Sequence, residues 1–182
     1  MRSAGKILIA GGLVIAGALA FSATRIFERH PVGNTNVPEP AKAVDLERYL
    51  GHWNEVARYE QWFQRGCKAV TADYALRTDG RIDVVNRCRR NGKADEARGI
   101  AKVIDRESNA KLKVSFFGPF YGDYWILDHA DDYSWSIVGE PSGRYLWILS
   151  REAKPARKQV SALVRRAEAL GYDSSMLVID RP

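Results

Sequence analysis

Residues 67–89 read CKAVTADYALRTDGRIDVVNRCR, and this stretch decides the fold. Val70, Ala72, Tyr74 and Leu76 occupy every second position. That is the period of an extended strand, whose side chains point alternately to its two faces. Thr78-Asp79-Gly80 follows, and Asp-Gly accepts the positive φ that a tight hairpin turn needs. Arg81 to Arg89 returns with Ile82 and Val84 on one face. The unit is an antiparallel hairpin.

The same pattern runs outward in both directions. Upstream, Asp45 to Leu50 starts with a helix-capping residue and reads as one helical turn. Trp53, Glu55 and Ala57 then alternate with Asn54, Val56 and Arg58. Downstream, Asn91-Gly92 marks a turn, and strands follow over 97–105, 111–117, 122–128, 133–139 and 144–151. With the first strand and the hairpin that makes eight. Lys154 to Leu170 breaks the series. Ala156, Val160, Leu163, Val164, Ala167 and Leu170 recur at spacings of three and four, which predicts one amphipathic helix, opened by Pro155 and stopped by Gly171. Met176 to Ile179 reads as a last short strand. A meander of short hairpin-linked strands either folds over as a sandwich or closes on itself. Sequential hairpins favour closure, which removes the unpaired edges. The expected fold is therefore all-β: an eight-stranded antiparallel up-and-down barrel with one C-terminal flanking α-helix. Eight strands is the number at which a barrel holds one small ligand.

The N-terminal segment has a different character. Arg2 and Lys6 precede an apolar run from Ile7 to Ala20, and Ala18-Leu19-Ala20 has the form of a cleavage site. Extended to Thr24, the run approaches the minimum length of a membrane span, with Arg25 and Arg29 behind it. Residues 1–24 are thus a signal peptide or a membrane anchor, and both readings export the rest. No cysteine precedes Cys67, so no lipoprotein acylation site is present. Residues 25–43, rich in Pro and Gly, read as a tether, and the folded domain is expected over 44–182.

The 182 residues are 46% apolar and 27% charged, the balance of a globular protein with one domain or two very small ones. Half of the net charge of +6 lies in the first thirty residues, so the domain itself is nearly neutral and no nucleic-acid binder on charge alone. Three histidines and two cysteines provide no metal-ligand spacing, and no phosphate loop or Ser-His-Asp order is visible. No catalytic residue, metal or cofactor is assigned.

Gly51-His52-Trp53-Asn54-Glu55-Val56-Ala57-Arg58 resembles the G-x-W-x-x-[hydrophobic]-A-R signature of the lipocalins, in the place where that family carries it. Gly122-Asp123-Tyr124 is similar to its second motif, with Gly122 where the family has Thr or Ser. Arg151, at the end of the last barrel strand, matches the third. Val70 to Tyr74, Lys113 to Gly122 and Tyr145 to Arg151 resemble the bacterial outer-membrane branch. The resemblance implies a closed barrel in which Trp53 plugs one end and Arg151 packs across it, donating to backbone carbonyls. It also implies binding of a fatty acid or lysophospholipid, and lipid storage or transport for envelope maintenance under stress. The N-terminal reading and the resemblance together place the protein in the periplasm, on the inner membrane through its N-terminus or on the outer membrane as in the family; a monomer or weak dimer is expected.

With Arg151 inward, the period of two brings Tyr145, Trp147 and Leu149 to the same face. Tyr74, Phe116, Tyr121, Tyr124 and Trp135 are further candidates for a ligand-lining wall; Phe117, Phe120 and Trp125 add aromatic area. Trp62 and Phe63 lie in the first loop and read as a lid. Arg65, Lys68, Lys113 and Arg144 are candidate cations for an acidic head. Cys67 and Cys88 sit in paired strands. Opposed residues there sum to about 159, so Cys88 faces Thr71, and Cys67 lies four residues further, about 13 Å along an unbent strand. A bulge or coil near Gly66 is required to bring them together, and export favours a disulfide. Three alternatives stay open: an enzyme using Cys67 or Cys88 as a nucleophile, with His52 and His129 in other strands; a filled structural barrel; and membrane docking through Arg157-Lys158 and Arg165-Arg166. Heme or a pigment is also compatible with an aromatic lining.

Overall fold

In a computed structural model, residues 31–180 are described. The expected signal or anchor over 1–24 lies outside them. The strands are β1 (Gly51–Tyr59), β2 (Cys67–Leu76), β3 (Ile82–Arg90), β4 (Lys93–Val103), β5 (Lys111–Phe117), β6 (Phe120–His129), β7 (Trp135–Gly139), β8 (Leu146–Ser150) and β9 (Leu177–Ile179). A one-turn helix α1 (Leu46–Tyr49) precedes them, and α2 (Arg157–Ala169) lies between β8 and β9. Neighbours pair in sequence from β2 to β8. β8 then pairs with β1, and β1 pairs with β2, which closes an antiparallel barrel of eight strands. β9 adds to the far end of β1, over Ala57 to Tyr59, where β2 no longer pairs with it.

Period-two alternation sorts the side chains into two apolar clusters. Trp53, Ile82, Val84, Leu112, Ile126, Val138 and Leu149 fill the barrel interior. Val56, Leu127, Ile137, Leu146 and Ile148 point outward and are covered by Leu163 and Ala167 of α2. Burying an aliphatic side chain of this kind contributes about 1.5–3 kcal/mol, so the helix is held by its apolar stripe. α2 stops where Gly171 takes φ +94°, a conformation that suits glycine.

Two details differ from expectation. Residues 33–43 have no regular structure, as their prolines require, yet they do not hang free. Gly33 and Asn34 donate backbone bonds to the Gly143 carbonyl, Asn34 Nδ2 donates to Leu170, and Asn34 is only 5% exposed. The hairpin register is also offset by one: Thr71 pairs with Arg87, not with Cys88.

Candidate functional site

The chain direction gives the barrel two different ends. One end carries α1, the start of β1 and the 104–110 connection, where Val44 N donates to Ser108 O at 2.7 Å. The other end carries the connections 60–66, 91–92, 118–119 and 140–145.

The first end is plugged. Trp53 is fully buried and donates its Nε1 to Tyr49 O at 2.8 Å. The Arg151 guanidinium lies 3.7 Å from the centre of the Trp53 ring. Its nitrogens donate to the carbonyls of His52 at 2.6 Å, Arg48 at 2.8 Å, Leu50 at 2.9 Å and Tyr49 at 3.0 Å. Burial lowers the Arg151 pKa, and the ring of carbonyls offsets that cost. Gly51, with φ +91°, leads α1 into β1 beneath this fork. Above the plug lies a phenol cluster. Tyr124 Oη sits 2.9 Å from Tyr49 Oη and 3.0 Å from Tyr74 Oη, and Tyr49 also meets Ser136 Oγ at 3.3 Å. Burial pushes Tyr49 up to about 12, and raises Tyr74 and Tyr124 as well.

Toward the open end the interior has two unlike walls. On β5 and β8 it is aromatic. Phe116 and Trp147 pack against the interior cluster, and Tyr145 stacks on Trp147 at 5.7 Å. On β1 to β3 it is polar. Glu55 shares the inward face of Trp53, and it is buried. It accepts from Arg58 Nη1 at 2.8 Å and from Gln64 Nε2 at 2.9 Å, while Gln64 Oε1 accepts from Trp147 Nε1 at 3.0 Å. Burial raises the Glu55 pKa despite the attraction of Arg58. Asn86 stands on the inward face beside Ala72, the partner of Trp53, and its buried Oδ1 has no hydrogen-bond partner.

The expected lining residues divide accordingly. Tyr74, Phe116, Tyr124, Tyr145 and Trp147 come together inside the barrel. Trp135 does not: it faces outward with Ile137, under α2, with the Arg166 guanidinium 4.8 Å from its ring. Tyr121 is also outside, its ring beneath Lys102 Nζ at 4.5 Å. Both sit on the odd side of a strand whose even side faces in. Trp125 is outside too, under Lys111. Phe117 and Phe120 are exposed at the β5–β6 turn rather than folded into the barrel. Trp62 is 67% exposed and touches Phe63 edge-on, so neither closes the mouth as a lid. Of the candidate cations, Lys113 is paired with Asp123 at 2.9 Å on the outer surface, whereas Arg65 and Lys68 stand exposed at the open end.

Cys67 and Cys88 are joined in a disulfide with a Cα separation of 5.5 Å. A bulge between Lys68 and Thr71, with Ala69 at φ +50°, shortens the predicted offset. The bond removes the free thiols that a nucleophilic reading of these cysteines needs.

Glu55, Arg58 and Gln64 were not among the expected site residues. Glu55 was legible, since it follows Trp53 by two. Arg58 was not. A bulge between Glu55 and Ala57 shifts the alternation and turns Arg58 inward, opposite to the simple count.

The profile of the family described as "Lipocalin-like domain" matches residues 44–182. The chain is 39% identical over 152 residues to the outer membrane lipoprotein Blc of Vibrio cholerae, covering 80% of this chain and 89% of that protein. It is 40% identical over 148 residues to temperature-induced lipocalin-1 of Arabidopsis thaliana, covering 76% of this chain and 80% of the other. Among solved structures it is similar to insecticyanin from the tobacco hornworm, with a TM-score of 0.67 at 20% identity, over 84% of this chain and 88% of that one. Plug, barrel, flanking helix and sequence agree, and the chain belongs to the lipocalin family.

Proposed function

We propose that the barrel binds a single amphipathic lipid, a fatty acid or a lysophospholipid, with the acyl chain inside. The observation that carries this reading is the two-walled interior. Phe116, Tyr145 and Trp147 offer apolar area, and Glu55, Arg58, Gln64 and the unpartnered Asn86 Oδ1 offer polar partners beside it. An acyl chain gains about 0.8 kcal/mol for each methylene it buries against such a wall. A filled structural barrel has no use for an orphaned buried carbonyl, whose desolvation costs about 1–3 kcal/mol. The role is binding, storage or transport rather than catalysis. The basic and apolar N-terminus, and the outer-membrane lipoproteins among the relatives, favour an exported, membrane-associated protein of the cell envelope.

The test is a tryptophan-quenching titration of delipidated residues 31–182 with a long-chain fatty acid and with its lysophospholipid. Saturable one-to-one binding, weakened about tenfold or more in Trp147→Ala through lost apolar contact, supports the reading. A folded protein that binds neither ligand overturns it. The tighter ligand names the class.

A further inference from the structure

We propose that the open end of the barrel docks on an anionic lipid bilayer, with two aromatic tips entering the interface and a basic rim meeting the headgroups. The aromatics are the largest exposed apolar side chains among the described residues. Phe117 and Phe120 are 78% and 79% exposed, and they flank the Gly118-Pro119 turn between β5 and β6. Trp62 is 67% exposed and Phe63 41%, in the connection between β1 and β2. Both connections belong to the open end. In the strand order β3 and β4 separate them on one side, and β7 and β8 on the other. The two tips therefore stand across the opening, and a plane resting on both covers it.

Charge names the occupant. Arg65, Lys68, Arg89 and Lys93 lie at this same end, are exposed, and enter none of the ion pairs among the described residues. Lys68 and Arg89 are direct cross-strand partners. Like charges so placed repel, and an anionic surface relieves that repulsion. The carboxylates nearby are engaged: Glu60 with Arg58, Asp95 with Arg90, and Glu140 with the Ser142 and Arg144 amides. Exposed aromatics beside unpaired Lys and Arg are the combination that holds a protein at a bilayer interface. A second copy seated on this face would bring two basic rims together, which charge disfavours. The inference stands independently of what the cavity holds.

All the strand pairings, both apolar clusters and the disulfide described above lie within residues 31–180, so residues 31–182 form a complete barrel for the test. It is sedimented with vesicles of phosphatidylcholine, with and without phosphatidylglycerol, at rising salt. Binding to the anionic vesicles alone or far more strongly, weakening with salt, is expected. The double variant Phe117→Ser/Phe120→Ser loses about tenfold or more in partitioning, through lost apolar burial. Lys68→Glu/Lys93→Glu loses a similar amount through charge. These four side chains are exposed, so thermal unfolding of the variants matches the parent. Equal sedimentation of parent and variants, or none with anionic vesicles, overturns the proposal. So does a lipid-free dimer that Phe117→Ser/Phe120→Ser converts to a monomer, since a second copy then covers the face. Failure of cavity binding in the quenching titration leaves this result unaffected, and the two readings fail separately.

Discussion

Single residues here do opposite electrostatic work at the two ends of one barrel. Arg151 spends its charge on backbone carbonyls and an indole face, and Arg58 spends its charge on the buried Glu55. Between them lie the Tyr49, Tyr74 and Tyr124 hydroxyls, bonded to one another in a space where a phenolate has no water. Burial raises all three, Tyr49 to about 12 against an ordinary value of 10.0. The sign follows from linkage. The folded state holds these protons more tightly than the unfolded chain does, so their contribution to stability is complete below the ordinary value and is lost as pH rises through the folded one. We predict that the barrel unfolds cooperatively in strong alkali, with phenolate absorbance and loss of near-ultraviolet dichroism sharing one transition. Ionisation of the three phenols near their ordinary value, with structure intact, would contradict the prediction. This cluster was half legible in the sequence. Period two put Tyr74 and Tyr124 on candidate faces, whereas Tyr49 sits in a one-turn helix whose rotation no alternation fixes. Trp135 and Tyr121 show the converse: aromatic identity suggested a lining, and strand parity placed both outside.

At the level of elements, turn chemistry and period gave the barrel, and irregularities gave the site. The Asp79-Gly80 hairpin and the α2 stripe follow from local rules that hold without tertiary help. The bulge in β1 that turns Arg58 inward, and the bulge in β2 that brings Cys67 to Cys88, each add one residue that no local pattern announces. The ends of α2 are another such case. Ala156 occupies its N-cap with φ −58° and ψ 146°, makes no side-chain capping bond, and no acidic residue lies in the first turn. Arg157 and Lys158 instead set positive charge against the positive end of the helix dipole. Ala156→Asp is therefore expected to stabilise the domain by about 1 kcal/mol, by accepting from the first free amides and by opposing that charge. Urea denaturation at neutral pH checks it, and an unchanged or lower midpoint would show that α2 is held by packing alone.

At the scale of the whole barrel, the proposed function makes it a cup, closed at the plugged end, whose depth is set by chemistry. Trp53 and the three tyrosines form the floor, Phe116 and Trp147 the wall above it, and the aromatic tips the rim. On the proposed function, an acyl chain that enters from the rim buries methylenes until its methyl end meets the phenols. Affinity for a series of saturated fatty acids is then expected to rise roughly fourfold per methylene, the equivalent of about 0.8 kcal/mol each, and to level off at one chain length. Where it levels off reports the floor. Tyr74 stands on that floor, its hydroxyl bonded to Tyr124 and its ring against Tyr49, so Tyr74→Ala removes floor without removing a hydrogen bond to Trp53 or Arg151. The plateau is predicted to move to longer chains in this variant, while the slope below it stays the same. A plateau at the same length would place the ligand's end higher in the cup. A series with no slope at all would mean that the chain lies outside it, against the rim that docking requires.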